Sequence, residues 1–294
     1  MNNMEIIKKK KVKKLKFNNV ILVPTDFSEV CENAVAHTLE VAKNINFKVT
    51  LLHIVNKDTQ EYLEDNKLTV DSIEQKLKDQ AANYSKEYGI EVNYLIKEGK
   101  LFKQVEKAVV EVGANMVVLG THGKVGFQRI TGSYALKVIS RTSVPTIVVQ
   151  KKGLKRPYTN IVFPVTTDTQ DRQKVNWAIY IAKTFNATIH IFPKRENESF
   201  HRKKIMSVVK QIKTIFDKHD VKYVDKVSDE GAGNFAKQVL DYAVVNSADL
   251  IMTMVSTERF FNFFDTQDEQ IIFNTSQIPV ICVNPVAVKK SSWH

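Results

Sequence analysis

The chain has 294 residues, enough for about two domains. Its hydrophobic fraction of 43% and charged fraction of 26% are those of an ordinary soluble globular protein, and no window approaches the ~18 apolar residues of a membrane span. The net charge of +11 is unevenly placed: residues 1–17 hold Lys8, Lys9, Lys10, Lys11, Lys13, Lys14 and Lys16 against Glu5, so the tail supplies +6 and the rest +5. That run reads as a solvated arm that could touch RNA, DNA or anionic lipid. No aromatic residue is interleaved with it for base stacking; Phe17 only follows. The remaining +5 reads as spread without a strong stripe. No apolar h-region follows the charged N-terminus, so no signal peptide is expected. Cys31 and Cys282 sit far apart in apolar contexts and read as buried reduced thiols, which fits a cytoplasmic location.

After the tail, Val20–Pro24 (VILVP) reads as a short buried strand. Thr25–Ser28 is a polar turn in which Asp26 or Ser28 can cap a helix. Glu29–Asn44 has helical spacing, with Val30, Ala34, Val35, Leu39 and Ala42 on one side. Lys48–Val55 is a second strand, and 56–69 a polar segment. A helix from about Val70 to Tyr88, a strand over Glu91–Ile96 and a helix over Leu101–Val112 follow. Asn115–Leu119 is a fourth strand. It runs into a loop holding Gly120, Gly123, Gly126 and Gly132, and Ser133 opens a helix to Arg141. Pro145–Val149 is a fifth strand. Strands alternating with helices predict an α/β, doubly wound parallel sheet covered on both faces.

Residues 151–157 are basic and read as a linker, after which the pattern restarts. Asn160–Val165 answers Asn19–Thr25, with Pro164 matching Pro24 at an offset of 140. Further on, Gly233 matches Gly99, Lys237–Val239 matches Lys103–Val105, and Pro279 matches Pro145 at an offset of 134. The chain therefore divides into a tail (1–17), a first domain (18–150), the linker, a second domain (158–286) and a C-terminal tail (287–294). In the second copy Gly120 becomes Met254, Gly123 becomes Thr257, Gly132 becomes Thr266, Ser133 becomes Gln267 and Asp26 becomes Thr166. Their joint loss reads as loss of a ligand that only the first domain binds. The alternative is that the second loop took another conformation.

Glycine lets a phosphate approach the backbone closely. The helix start at Gly132–Ser133 offers unpaired N–H groups and the positive end of a helix dipole. Asp26, beyond the end of the first strand, lies at the same sheet edge, where parallel α/β sheets bind ligands. It reads equally as a ribose acceptor or a helix cap. His122 reads as a phosphate contact or a solvated loop residue, and His53 as structural. No Lys-Ser/Thr pair follows the last glycine, and no G-x-G-x-x-G follows the first strand. Neither a Walker A loop nor a dinucleotide fingerprint is present.

VPTDFSE, LLHIV and VVLGTHGKVGFQRITGS leading to VPTIVV resemble the universal stress protein family, strongly over 18–150 and weakly over 158–286. The chain is thus similar to its tandem-domain members. The resemblance implies two five-stranded parallel sheets, each in the order 3-2-1-4-5 with four helices, of the adenine nucleotide alpha hydrolase-like kind. ATP-binding members carry Gly-x2-Gly-x9-Gly-Ser/Thr. Gly120, Gly123, Gly132 and Ser133 match those roles, with eight intervening residues, Lys124 to Thr131, in place of nine. The resemblance further implies that Pro24, Thr25 and Asp26 line the adenine and ribose side. It implies that Ile54 backs the adenine and that Leu119 to Gly123, His122 included, pass under the ribose and phosphates. Tyr134 stands where a small aliphatic residue is common and would narrow the pocket.

The expected function is a non-catalytic stress-response protein binding ATP or a related adenine nucleotide in the first domain. Mg²⁺, if bound, would be held mainly by phosphate oxygens. The domains would pair as an intramolecular pseudo-dimer through their fifth strands, and a homodimer is compatible with this. No membrane or nucleic-acid partner is expected. The alternative is a ligand-free interaction module. An ATP hydrolase is not expected, because the loop supplies neither a general base nor a metal carboxylate. Phe260, Phe261, Phe263 and Phe264 read as a plug or as an apolar binding site.

Overall fold

The computed structural model describes residues 17–121, 132–151, 158–229, 234–255 and 267–284. His122, Gly123, Gly126, the phenylalanines at 260–264, residues 152–157 of the linker, the lysine run and the C-terminal tail lie outside them. The first half contains β1 (Val20–Pro24), β2 (Lys48–Val55), β3 (Val92–Glu98), β4 (Ala114–Gly120) and β5 (Thr146–Val149). Its helices are α1 (Glu29–Ile45), α2 (Lys57–Asp65), α3 (Val70–Tyr88), α4 (Leu101–Val112) and α5 (Gly132–Arg141). The second half contains β6 (Asn160–Val165), β7 (Thr188–Pro193), β8 (Tyr223–Asp225), β9 (Leu250–Met254) and β10 (Val280–Val283). A 3-10 helix, Thr169–Lys174, precedes α6 (Val175–Phe185), α7 (Ser199–Lys218), α8 (Phe235–Val245) and α9 (Gln267–Ile272).

All ten strands form one sheet, ordered β3-β2-β1-β4-β5-β10-β9-β6-β7-β8. Within each half the pairs are parallel, in the order 3-2-1-4-5. The halves meet where β5 pairs antiparallel with β10: Val148 faces Val280, Ile147 faces Ile281 and Thr146 faces Cys282. β1, β5, β9 and β10 are buried along their whole length, as befits apolar strands covered on both faces. One core packs α1, α3, α6 and α7 against the sheet through Leu39, Leu77, Ile181 and Ile212. The other packs α4, α5, α8 and α9 through Val109, Ile139, Val239 and Ile272. Each core runs through both halves.

Among the described residues the first half carries five helices, one more than the expected four. The polar segment after β2 contains α2, capped by Asn56, whose side chain accepts from Thr59 N at 2.9 Å. Only Thr59 and Leu63 of α2 are buried, so it has no apolar stripe to betray it. Ser28 caps α1, accepting from Cys31 N at 3.4 Å; Asp26 does not.

Side chains at equivalent places reinforce the junction. Gln150, just past β5, donates to Asn274 O at 2.9 Å. Asn284, just past β10, donates to Thr142 O at 2.8 Å and to Ile139 O. Each satisfies carbonyls at the C-terminal end of the other half's last helix. His37 of α1 and Tyr158, both buried, meet at 2.8 Å between Nε2 and the hydroxyl.

Burial lowers the His37 pKa to about 4 from an ordinary 6.5. The unfolded chain therefore takes up this proton first. The stability that comes from keeping His37 neutral is complete above the ordinary value and is lost as pH falls toward the lowered one, by about 3 kcal/mol. Urea unfolding should show the midpoint falling below pH ~6. His37→Gln should flatten that fall; His190, lowered by burial, and Glu91, lowered by its bond to Lys48, act in the same direction. An unchanged pH profile would remove His37 from this account.

Candidate functional site

Strand order reverses between β1 and β4, so the chains leaving their C-terminal ends separate there and leave a crevice. Thr25 extends β1, its N–H donating to Leu52 O at 2.8 Å. Its hydroxyl then accepts from Phe27 N at 3.1 Å, and Asp26 Oδ1 accepts from Ser28 N at 3.0 Å. These short bonds hold Phe27 at φ 62°, an uncommon conformation for a non-glycine residue. His53 braces the same turn from β2: its Nδ1 donates to Thr25 O at 2.9 Å and its ring stacks on Phe27, 5.0 Å between centroids. Lys76 Nζ also lies over Phe27, 4.2 Å from the ring centroid.

Pro24, Thr25, Asp26 and Ile54 line one cleft, together with Leu52, Asn56, Thr59 and Leu101. The last four were not singled out from the sequence. The Asn-x-x-Thr spacing of a helix cap could have flagged Asn56 and Thr59. The cleft measures ≈ 30 Å³, room for a water or two and well short of the ~300 Å³ at the lower end of small-molecule pockets. A broader open hollow of ≈ 480 Å³ lies at the opposite sheet edge, around the exposed Lys48–Glu91 pair, away from these residues.

Leu119 is fully buried in β4 and belongs to the core. Tyr134 is exposed on α5, with Lys137 Nζ 5.3 Å from its ring centre, and does not line the cleft. Gly132 and Ser133 open α5, so the expected helix N-terminus is present at this end of β4.

Gly120 has a packing reason of its own. A Cβ there would lie 2.6 Å from Val30 O and 3.0 Å from Cys31 Cα. The first turn of α1 therefore rests directly on the end of β4. Burial, with the Asp26 charge adding to it, pushes the Cys31 thiol up to about 12, so it is held neutral there.

The equivalent region of the second half is filled. Met254, buried, takes the place of Gly120. The turn matching the start of α1 is the 3-10 helix, and α6 begins only at Val175. In the places of Cys31 and Ala34 stand Asp171 and Lys174, a buried ion pair at 3.0 Å. Asp171 Oδ2 accepts from Thr166 N and Oγ1 at 2.7 and 3.0 Å, and Lys174 donates to Pro164 O at 2.5 Å. Phe192 and Phe235 replace Leu52 and Leu101, their rings stacked at 5.9 Å, with Tyr242 on Phe192 at 4.6 Å. Lys194 and Glu196, paired at 2.7 Å, replace Ile54 and Asn56.

Residues 18–150 match the model of the universal stress protein family. Over 159 residues the chain is 28% identical to Universal stress protein MJ0577 of Methanocaldococcus jannaschii, covering 45% of this chain and 95% of that one. Universal stress protein MJ0531 of the same organism is 27% identical over 141 residues, 45% of this chain and 81% of that one. A universal stress protein structure from Archaeoglobus fulgidus superposes with a TM-score of 0.74 at 15% identity. It covers 91% of this chain and 99% of that one, a likeness of fold.

Gly120→Ala should destabilise the protein by roughly 1–3 kcal/mol in the absence of any nucleotide, because its methyl would press on the α1 backbone. Denaturant midpoints of the two proteins check this. Equal midpoints would show that α1 yields freely and that packing does not require the glycine.

Proposed function

We propose that the first half binds ATP or a related adenine nucleotide at the β1/β4 crevice, that the second half binds none, and that the protein is a non-catalytic component of a stress response. The observation that carries this is the contrast between two equivalent crevices. One keeps a cleft lined by Pro24, Thr25, Asp26 and Ile54; the other is occupied by its own aromatic stack and ion pair. In the first half, a base would sit against Ile54 and Leu101 and a ribose beside Asp26. The start of α5 would face the phosphates, where a helix N-terminus favours an anion. Any Mg²⁺ would ride on those phosphates. With the cleft at ≈ 30 Å³, a base enters only if Leu101 and the start of α2 move apart. The two halves act as a tandem pseudo-dimer, the second a structural partner of the first.

The same small volume favours a second reading, a ligand-free interaction module. Titration calorimetry with ATP and Mg²⁺ separates them. The nucleotide reading expects at most one site per chain. It also expects ~2.7 kcal/mol of added stability at 100 times Kd, and about tenfold weaker binding, ~1.4 kcal/mol, for Asp26→Ala. Two sites per chain would refute the asymmetry. Absence of heat and of any stability shift would leave the interaction module.

Lys174→Met separates structure from ligand in the second half. It strands Asp171 in the interior and should cost about 3–5 kcal/mol of stability. The nucleotide Kd of the first half should stay the same, and a changed Kd would show that the second half takes part in binding.

A further inference from the structure

The charge outside the N-terminal tail is not spread. α7 carries Arg202, Lys203, Lys204, Lys210, Lys213 and Lys218 against Asp217 alone. Apart from that helix and the tail, cations and anions balance over the whole chain. The counterpart helix of the first half, α3, has the opposite balance: Lys76, Lys78 and Lys86 against Asp71, Glu74, Asp79 and Glu87. A merely solvated helix face does not require this asymmetry.

α7 packs along β6 and β7 and buries Ile205, Val208, Val209, Ile212 and Phe216. Its opposite side presents Arg202, Lys203, Met206 and Lys210 to solvent. Lys213 is paired with Asp225 at 2.6 Å, whereas Arg202, Lys203, Lys204 and Lys210 enter no ion pair among the described residues. Two large apolar side chains stand beside these cations: Phe200 is 69% exposed and Met206 52%. An apolar side chain among cations gains nothing from a partner made of phosphates alone. It suits a lipid interface, where the cations meet headgroup phosphates and the ring enters the boundary with the acyl chains. A helix lying along the sheet offers its charges in one plane, as a bilayer surface does.

We propose that α7 docks this protein on an anionic lipid surface, with Phe200 and Met206 in the interfacial layer and Arg202, Lys203, Lys204 and Lys210 on headgroup phosphates. This is docking without a span: among the described residues no helix is long and apolar enough to cross a membrane. The lysines of the tail add to the same attraction.

The test uses the full-length chain in co-sedimentation with phosphatidylcholine vesicles, with and without phosphatidylserine. Binding should require phosphatidylserine and weaken with salt. Lys203→Glu/Lys210→Glu should lower partitioning about tenfold, while Lys78→Glu/Lys86→Glu on α3, an equal change in net charge, should leave it within about twofold. Phe200→Ser should lower it about threefold with the salt dependence kept. Equal effects of the two charge reversals would refute the proposal, since net charge and not α7 would then be responsible. So would partitioning indifferent to both. A duplex DNA probe and sedimentation velocity run alongside. If the α7 reversal abolishes DNA binding or self-association and leaves vesicle binding intact, the face belongs to nucleic acid or to a second copy, and the lipid assignment falls.

Discussion

The antiparallel pairing of β5 with β10 decides most of what this molecule can be. A doubly wound half standing alone would end in β5, four buried residues with one row of backbone groups unpaired. Such an edge invites pairing with another chain. Here the partner is supplied by the same chain. Because the pair is antiparallel, the strands of the second half run opposite to those of the first. The two C-terminal sheet edges, where parallel α/β sheets bind ligands, therefore lie at opposite ends of the sheet. The crevice at the C-terminal edge of the second half is thus remote from the β1/β4 crevice. Among the described residues the two halves are joined by the shared cores, the reciprocal bonds of Gln150 and Asn284, and the His37–Tyr158 contact.

The second half differs from the first as a set. A buried methionine stands in place of Gly120, and the turn packed against β9 there is a 3-10 helix where the first half has the start of α1. That turn brings in a carboxylate and an ammonium, which need partners in the interior. Thr166, Pro164 and each other provide them. The phenylalanines at 192 and 235 fill the volume that leucines leave partly open in the first half. These residues pack as one group, with Met254 where the first half has Gly120 and Thr166 where it has Asp26.

Much of this was legible in the sequence. The strands were, because a central parallel strand is an unbroken apolar run bounded by polar turns. The sheet order came with the family resemblance carried by VPTDFSE and the glycine loop. α2 was not legible, since a helix burying two side chains has no stripe. The role of Gly120 was not either. From sequence alone, a glycine beside a presumed phosphate reads as a phosphate glycine. Only the approach of Val30 and Cys31 shows that packing already demands it. The lysines of α7 looked scattered because their spacing follows a helix. They become a face only once Ile205, Val208, Val209, Ile212 and Phe216 are seen on the other side.

The crevice of the first half is therefore better described by what is already committed than by what is vacant. The Thr25 hydroxyl holds Phe27 N, one Asp26 oxygen holds Ser28 N, and His53 holds the Thr25 carbonyl. The floor is a pre-shaped turn that would lose little freedom on binding the proposed ligand. Its roof is different in kind. Leu101 is the first residue of α4, and Thr59 lies in the first turn of α2, a helix with two buried side chains. Elements with few buried contacts open at low cost. Adjustment to the proposed ligand would thus fall on the α2 side, and among the described residues the second half has no helix between β7 and α7 to match it.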